Sequence, residues 1–297
     1  MFNKSFLTDK IVNSLLNKDF EVLLIDGCFN IAAKNESLML IKSLINIDSF
    51  SEEHALSLRS ISYFLSANPF VVSIKNNRQF LSDQVIYSRF QLPVITPQTF
   101  ENFLEEEKMV FLESSKGKHT SEVDVEKIRS KRKEKGFSLR ELAQLVGISK
   151  KAMYEIEKSK TKPSADTINK IENILNIKIQ ISRKIEANVN ATYIKPRSEV
   201  QKKVSKEFSR IGIDNSSVFS APFEIIGREN FSVVTSSLPK ELPIMKKFAN
   251  IVSSKAFLFA KESKEENVNG IPIVSESELS EIGTAKEFSK VLKEKQV

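Results

Sequence analysis

The chain has few of the residues that disulfides, zinc sites and phosphate loops require. Its 297 residues include one cysteine, two histidines, eight glycines and no tryptophan. The lone Cys28 excludes an internal disulfide, and so few cysteines and histidines argue against a structural zinc site. The sequence also has no glycine-rich phosphate loop. We therefore expect neither a metal nor a cofactor.

Long hydrophobic runs are absent as well. No apolar run approaches the length of a membrane span, and Asp9 lies inside the first predicted helix, which argues against a signal peptide. A composition of 40% apolar and 28% charged residues is typical of a globular protein. The length indicates two or three domains. We expect a cytoplasmic protein that does not associate with a membrane.

Positive charge is concentrated in the middle of the chain. Residues 123–184 hold 16 Lys and Arg against 8 Asp and Glu, a net charge of +8, whereas the whole chain carries +7. The flanking segments together therefore carry −1. A solvated lysine-rich surface would explain the composition alone, but a local excess of this size is what a phosphate backbone attracts.

The same central stretch predicts a series of short helices. Ser138 and Glu141 form a capping-box pattern, and Gly147 is suited to end the helix that they begin. Ser149 is suited to cap a second helix over 150–158, and Ser164 a further one. A helix over 125–135 precedes them. Two helices joined by a three-residue turn are a helix-turn-helix pattern.

The stretch GFSLRELAQLVGISKKAMYEIEKSKTKPS resembles the DNA-binding domain of Cro- and phage-repressor-type regulators. In that family the start of the second helix reads base edges, and other side chains contact phosphates. The resemblance implies that Arg132 and Glu157 form a structural ion pair. The candidate DNA-binding residues are Ser149, Lys150, Lys151, Ala152, Glu155, Lys158, Lys160, Lys162 and Arg140. Among these, Lys150, Lys151, Ala152 and Glu155 occupy the base-reading positions.

The segments on either side alternate strand and helix patterns, which predicts α/β layers. We expect an α/β domain over 1–112, a helical domain over 123–183 and a second α/β domain over 190–297. Polar residues over 113–122 predict a linker, and a weaker junction falls near 182–189. The third segment repeats the first with an offset of 194 through its first strands. The alignment pairs Phe223 with Phe29 and Ala256 with Phe70, which indicates a duplication.

The order of helix, three strands, helix and strand in both copies resembles the restriction-endonuclease and Holliday-junction-resolvase fold. That family holds Mg²⁺ with two carboxylates, and a lysine polarises the scissile phosphate or water. The matching positions are Asn30, Leu40 and Lys42 in the first copy. They are Glu224, Val234 and Ser236 in the second copy. Because each copy lacks paired acidic ligands, we expect no catalysis from either. Asp26 and Asp48 are the candidate replacement ligands.

Taken whole, the chain resembles a family of archaeal helix-turn-helix transcriptional regulators, through CFNIAAKNESLMLIKSLINIDSFSEE and the terminal GIPIVSESELSEI. We therefore predict a regulator that binds double-stranded DNA in a sequence-specific manner. Proteins with this motif bind as two-fold dimers, so we expect a homodimer on an inverted repeat, joined through the α/β domains. Two alternatives are a metal-dependent nuclease or resolvase-like enzyme targeted by the helical domain, and a non-specific architectural DNA binder.

Overall fold

The computed structural model of the chain describes residues 3–105, 112–115, 118–182, 185 and 189–296. The backbone divides into two compact units. The first unit comprises Met1–Phe80, Phe90–Pro93 and Glu186–Val297, and the second comprises Leu81–Arg89 and Val94–Ile185. Most of the first segment thus shares one unit with the third segment, and the central helices lie in the other. The three-domain boundaries drawn above stay a prediction.

The first α/β copy forms a mixed sheet with a helix before and after its hairpins. Its elements are α1 (Lys4–Leu16), β1 (Glu21–Leu24), β2 (Ile31–Lys34), β3 (Leu38–Asn46), α2 (Glu52–Leu65) and β4 (Asn68–Lys75). Strands β1, β2 and β3 are antiparallel neighbours, and β4 pairs with β3 in parallel. Ser51 caps α2 by accepting a hydrogen bond from the His54 backbone N–H at 3.2 Å.

The second unit begins with strands and continues into helices. Its early elements are β5 (Val85–Arg89), β6 (Leu92–Ile95, of which the first two residues belong to the first unit), α3 (Pro97–Glu105), β7 (Leu112–Ser115) and β8 (Lys118–Thr120). Strand β7 pairs with β5 in parallel and with β8 in antiparallel. The prediction of a linker over 113–122 is therefore wrong for the residues that the structure describes there. The polar sequence misled it because strands pair through their backbones, which needs no apolar periodicity.

The rest of the second unit is a helical domain. Its helices are α4 (Val125–Glu134), α5 (Leu139–Val146), α6 (Lys150–Glu157) and α7 (Ala165–Leu175). One side chain or more from each helix enters a single core, which includes Ile128, Leu142, Met153 and Ile168. All four helices lie where the sequence predicted them. The junction expected near 182–189 lies mostly outside the described residues.

The second α/β copy repeats the first. Its elements are α8 (Glu199–Arg210), β9 (Asp214–Ser217), β10 (Ile225–Arg228), β11 (Ser232–Ser236), α9 (Leu242–Val252), β12 (Lys255–Ala260), β13 (Asn267–Val268), β14 (Ile271–Ser275), α10 (Glu276–Glu281) and α11 (Ala285–Glu294). The strand order is β13-β14-β12-β11-β10-β9. Strands β9, β10 and β11 are antiparallel neighbours, and β12 pairs with β11 in parallel, as β4 pairs with β3.

Strand register gives the correspondence of the two copies. Ile31 pairs with Ile41 in the first copy, and Ile225 pairs with Thr235 in the second, which keeps the offset of 194. One strand later, Ile41 faces Phe70 and Thr235 faces Phe257. Phe257 is therefore the residue of the second copy that is equivalent to Phe70. The sequence alignment paired Phe70 with Ala256 and is wrong by one residue. The shared topology confirms two nuclease-like α/β sheets and a helix-turn-helix domain between them in sequence.

Helices α2 and α9 lie between the two sheets of the first unit. Helix α2 packs on β4 of its own copy and on β9 and β10 of the other, whereas α9 packs on β12 of its own copy and on β1 and β2 of the other. The contacts are reciprocal, as in an assembly of two equivalent subunits about a two-fold axis. Phe248 of α9 lies 5.7 Å from Phe29 and 5.2 Å from Phe223, measured between ring centroids. The two copies therefore share an apolar layer.

Candidate nucleic-acid interface

The helix-turn-helix is built from caps that the local sequence supplies. Ser138 Oγ accepts a hydrogen bond from Glu141 N at 3.1 Å, and Glu141 accepts one from Ser138 N at 2.7 Å, which completes a capping box at the start of α5. Gly147 ends that helix with φ of +79°, a left-handed conformation that glycine adopts without a steric penalty. The turn therefore has a fixed length and direction, which sets the orientation of α6.

Helix α6 has one buried side and one exposed side. Ser149 caps it by accepting a hydrogen bond from Ala152 N at 3.0 Å. Met153 and Ile156 are buried against the other helices, whereas Lys150 and Lys151 are exposed. The ammonium groups at the start of α6 are therefore presented to solvent while the apolar side holds the helix in place.

The other predicted DNA-binding residues fall into three groups. Lys158 and Lys160, at and beyond the end of α6, are exposed, and so is Arg140 on α5. Ala152 and Glu155 are half-buried, so their outer atoms remain accessible from the same side. Lys162 differs, because its ammonium lies 2.7 Å from Glu113 and 3.0 Å from Glu122. Its charge is largely compensated inside the second unit.

Tyr154 is a candidate that the sequence analysis missed. It lies one turn after Lys150 on α6 and is 47% exposed, and the Lys158 ammonium lies 5.9 Å from its ring centroid. The helical period could have identified it, because the predicted inward residues Met153 and Ile156 leave position 154 on the outer side. An exposed aromatic ring between two lysines offers an apolar contact to a thymine methyl group.

Arg132 and Glu157 join α4 to the end of α6. Arg132 Nε lies 2.6 Å from Glu157 Oε1 and Arg132 Nη2 lies 3.1 Å from Oε2, so the guanidinium engages both carboxylate oxygens. The same guanidinium donates to the Phe137 carbonyl at 2.9 Å, and the hydrogen bond to Glu157 raises the pKa of Arg132. The predicted structural ion pair is confirmed, and it is nearly buried.

In the first α/β copy, the nuclease-like positions hold side chains that are engaged with the protein itself. Asn30 Oδ1 accepts a hydrogen bond from Ser43 N at 3.1 Å, and Leu40 is fully buried. The Lys42 ammonium is buried and donates to the Gly27 carbonyl. Burial lowers the pKa of Lys42, and the nearby charge of Lys4 lowers it further. An amide, an isobutyl group and a lysine do not form a carboxylate pair for Mg²⁺.

In the second copy, the polar residue at the equivalent position is also hydrogen-bonded within the protein. Glu224 Oε2 accepts hydrogen bonds from Ser237 N at 2.7 Å and from Ser237 Oγ at 2.6 Å. Ser237 corresponds to Ser43, so Asn30 and Glu224 make equivalent bonds in their copies. The other two positions hold Val234 and Ser236, both buried. This copy therefore offers one carboxylate, already bound to its own backbone, where a hard cation needs several oxygen ligands.

The residues that the structure describes hold no metal-binding group and no membrane-spanning helix. In this part of the chain, no group of three or more His, Cys, Asp or Glu side chains is arranged to hold a metal ion. Asp26 and Asp48, the candidate replacement ligands, belong to no such group. No helix among the described residues combines the length and apolar character that crossing a membrane requires.

Comparison with known families identifies two regions of the chain. Residues 4–109 match the PD-(D/E)XK superfamily domain, and residues 128–181 match the helix-turn-helix family. The first match covers the nuclease-like copy, and the second runs from within α4 through α7 to the residues after it. Both resemblances inferred from the sequence are thereby confirmed.

The chain is also similar along most of its length to archaeal proteins. A protein of Methanothermobacter thermautotrophicus is 28% identical over 282 residues, covering 91% of this chain and 89% of its own length. Proteins of Pyrococcus furiosus and Pyrococcus horikoshii are 26% and 28% identical, covering 97% and 90% of this chain and 96% and 90% of their own lengths. Each is named "Putative HTH-type transcriptional regulatory protein". No solved structure matches the chain at a significant level.

Proposed function

We propose that this protein is a sequence-specific DNA-binding regulator of transcription that places α6 in the major groove. The observation that carries the proposal is the one-sided burial of α6: its apolar side is held in the helical core, and Lys150 and Lys151 extend into solvent. An α-helix fits the major groove, where each base pair has its own pattern of donors and acceptors. The names of the archaeal relatives support the regulatory role.

The exposed side chains divide by the part of DNA that they would contact. Lys150 and Lys151 would donate to guanine O6 and N7, and Glu155 would accept from cytosine N4, whereas Ala152 would contact a thymine methyl group. Ser149, Lys158, Lys160 and Arg140 would contact phosphates, which fixes the position of the protein without reading sequence. We assign Lys162 a smaller part, because two carboxylates already bind its ammonium.

Replacement of Lys150 and Lys151 tests the proposal. Genomic fragments selected by the wild-type protein supply the target, and a scrambled duplex supplies the reference. Each Lys→Ala variant should lose about 1–3 kcal/mol of discrimination between the two. Lys170→Ala is the matched control, because Lys170 is an exposed lysine of α7 held by Asp166 at 2.7 Å. An equal loss on both duplexes would instead favour a non-specific architectural binder.

We further propose that the protein acts in the cytoplasm as a homodimer on an inverted repeat, because one short helix reads too few base pairs. The reciprocal packing of α2 and α9 bears on where such a dimer forms. Those two helices already cover the other copy within the same chain, so a second chain would have to use another surface. Sedimentation of a concentration-independent species of 33.7 kDa, the mass of one chain, would remove the dimer from the proposal.

A nuclease is the second candidate, and the match of residues 4–109 to the PD-(D/E)XK superfamily favours it. We propose that neither copy cuts DNA, which the engagement of Asn30, Lys42 and Glu224 with neighbouring backbone groups supports. Plasmid incubated with the protein and Mg²⁺ or Mn²⁺ should stay intact. Cleavage by the wild-type protein that a Lys42→Ala variant loses would establish the nuclease.

A further inference from the structure

A cleft of about 650 Å³ opens on the outer side of the second α/β copy, between α8, the end of β12 and α10. Its floor is formed by Phe259 and Leu279, which are both buried. The volume is in the range of small-molecule binding sites. The cleft lies wholly within the first unit and shares no residue with the helix-turn-helix domain.

The cleft lies where open α/β sheets bind ligands. Strands β12 and β14 run parallel, and Ala260 pairs with Ser275 at their carboxyl ends. Lys261 follows β12 directly, and Glu276 and Ser277 follow β14. Ligands of such sheets bind in the crevice outside the carboxyl ends of the strands. Position alone therefore makes this cleft a candidate binding site.

One face of α8 lines the cleft, and residues at both ends of that face bond to α10. Lys203 lies 2.7 Å from Glu276, and Arg210 donates to the Leu279 and Ser280 carbonyls, each at 3.0 Å. Lys206 lies between Lys203 and Arg210 on the helix. The opposite face, with Val204 and Phe208, packs in the core. These links keep the walls of the cleft together without occupying Lys206.

Two ammonium groups in the cleft are free. Lys206 and Lys261 are exposed, and neither makes a hydrogen bond or ion pair with any residue that the structure describes. The acidic residues of the cleft are mostly engaged, since Glu276 binds Lys203 and Glu207 lies 2.6 Å from Arg210. Glu262 is the remaining carboxylate of the lining. The uncompensated groups are therefore two cations and one anion.

We propose that this cleft binds a small metabolite that carries an oxyanion, carboxylate or phosphate, together with a hydrogen-bond donor such as an ammonium group. The oxyanion is held by Lys206 and Lys261 through charge-assisted hydrogen bonds. The donor is held by Glu262, and the body of the ligand covers Phe259. Binding of such a ligand would let a metabolite regulate the protein. The proposed binding does not itself depend on the proposed DNA-binding function.

Calorimetric titration of the full chain, without DNA, tests this proposal. The probes are L-glutamate and O-phospho-L-serine, which offer the same ammonium group with a carboxylate or a phosphate as the second anion. At least one of the two probes should bind saturably. The probe with the higher affinity shows whether the site prefers a carboxylate or a phosphate. Glutarate, which lacks the ammonium group, should bind more weakly than L-glutamate.

The double variant K206Q/K261Q should bind the stronger probe at least about tenfold more weakly, because two charge-assisted hydrogen bonds are lost. K202Q is the matched control, since Lys202 is an exposed lysine of the same helix held by Glu199 at 2.7 Å, and it should bind like the wild type. Circular dichroism checks that both variants fold. Absence of saturable binding by both probes, or unchanged affinity in the double variant, overturns the proposal whatever the protein does with DNA.

Discussion

Gly27 and Ser220 meet where the two α/β copies adjoin, so closely that a β-carbon on Gly27 would lie 2.1 Å from the Ser220 carbonyl oxygen. That oxygen also accepts a hydrogen bond from Cys28 N at 2.5 Å. Since Ser220 and Ala221 correspond to Asp26 and Gly27 at the offset of 194, equivalent loops of the two copies touch each other. The absence of a side chain at position 27 is therefore a requirement of the contact between the copies.

Gly27→Ala should lower the free energy of unfolding of the first unit by about 1–3 kcal/mol, because the added methyl group meets backbone that cannot rotate away. Urea denaturation followed by far-UV circular dichroism measures the change. Gly283→Ala is the control, since its β-carbon would meet only Glu287 Oε2, at the ordinary contact distance of 3.4 Å, and it should stay within about 0.5 kcal/mol of wild type. A Gly27→Ala protein as stable as wild type would contradict the contact.

More bonds cross the same boundary between the copies. Phe219 N donates to Ser57 Oγ at 3.0 Å, Arg228 Nη1 donates to the Tyr63 carbonyl at 3.1 Å, and Arg197 Nη1 donates to Glu53 at 2.6 Å. Helix α2 thus receives several polar contacts from the second copy, these three among them, in addition to its apolar packing. The first unit thus resembles a dimer of two like copies within one chain, and its α2 and α9 helices are already covered by that internal contact.

Arg132→Ala should destabilise the helical domain by about 3 kcal/mol, the lower end for breaking a buried pair. Glu157, whose side chain is 7% exposed, loses two hydrogen bonds and keeps only the longer contact with Arg129 at 3.8 Å. The urea midpoint of the second unit reports the change. Lys170→Ala breaks an exposed pair with Asp166 in the same domain and should cost no more than about 0.5 kcal/mol. Equal effects of the two substitutions would show that the buried pair has no special role.

The helix-turn-helix was predictable from the sequence because its signals are local. The Ser138–Glu141 capping box, the left-handed Gly147 and the Ser149 cap each act within four residues, and each occurs where the pattern indicated. The strands of the first copy are also marked locally, by short apolar runs. Val71 and Val72 of β4, for instance, are buried as expected of a strand covered on both faces.

Features that depend on distant residues were not predictable. Glu113 and Thr120 pair across β7 and β8, yet their polar sequence carries no apolar alternation that would indicate strands. The contact of Gly27 with Ser220 joins residues that are far apart in the chain, and no pattern of apolar residues in the sequence indicates it. The exposed Tyr154 was missed for another reason: family positions, and not the helical period, guided the choice of side chains on α6.

Tyr154→Ala should weaken binding to the selected target by about 1 kcal/mol, because an aromatic side chain at the protein–DNA contact would be lost. Tyr154→Phe keeps the ring and should bind like the wild type, which separates the ring from its hydroxyl group. Fluorescence anisotropy with labelled duplexes gives both affinities. If the alanine variant binds its target with wild-type affinity, Tyr154 does not belong to the DNA contact.

Glu172 makes the stability of the helical domain depend on pH. Its carboxylate is buried and accepts hydrogen bonds from Lys178 Nζ at 2.8 Å and from Ile179 N at 2.9 Å. Burial alone would raise the pKa of Glu172, but these hydrogen bonds outweigh it, and the pKa lies below its ordinary value of 4.5. The unfolded chain therefore binds a proton at a higher pH than the folded domain does.

The stabilisation from the Glu172 carboxylate is accordingly complete above pH 4.5 and is lost as the pH falls through the lowered pKa. Glu172→Gln removes the charge and should lower the free energy of unfolding at pH 7 by about 1.5–3 kcal/mol. The difference between the variant and the wild type should shrink as urea denaturation is repeated from pH 5 to pH 3. Glu126→Gln, which alters an exposed pair with Arg129, should show a much smaller difference throughout. A Glu172→Gln difference that stays constant down to pH 3 would contradict a lowered pKa, since protonation would then leave the contribution of Glu172 unchanged.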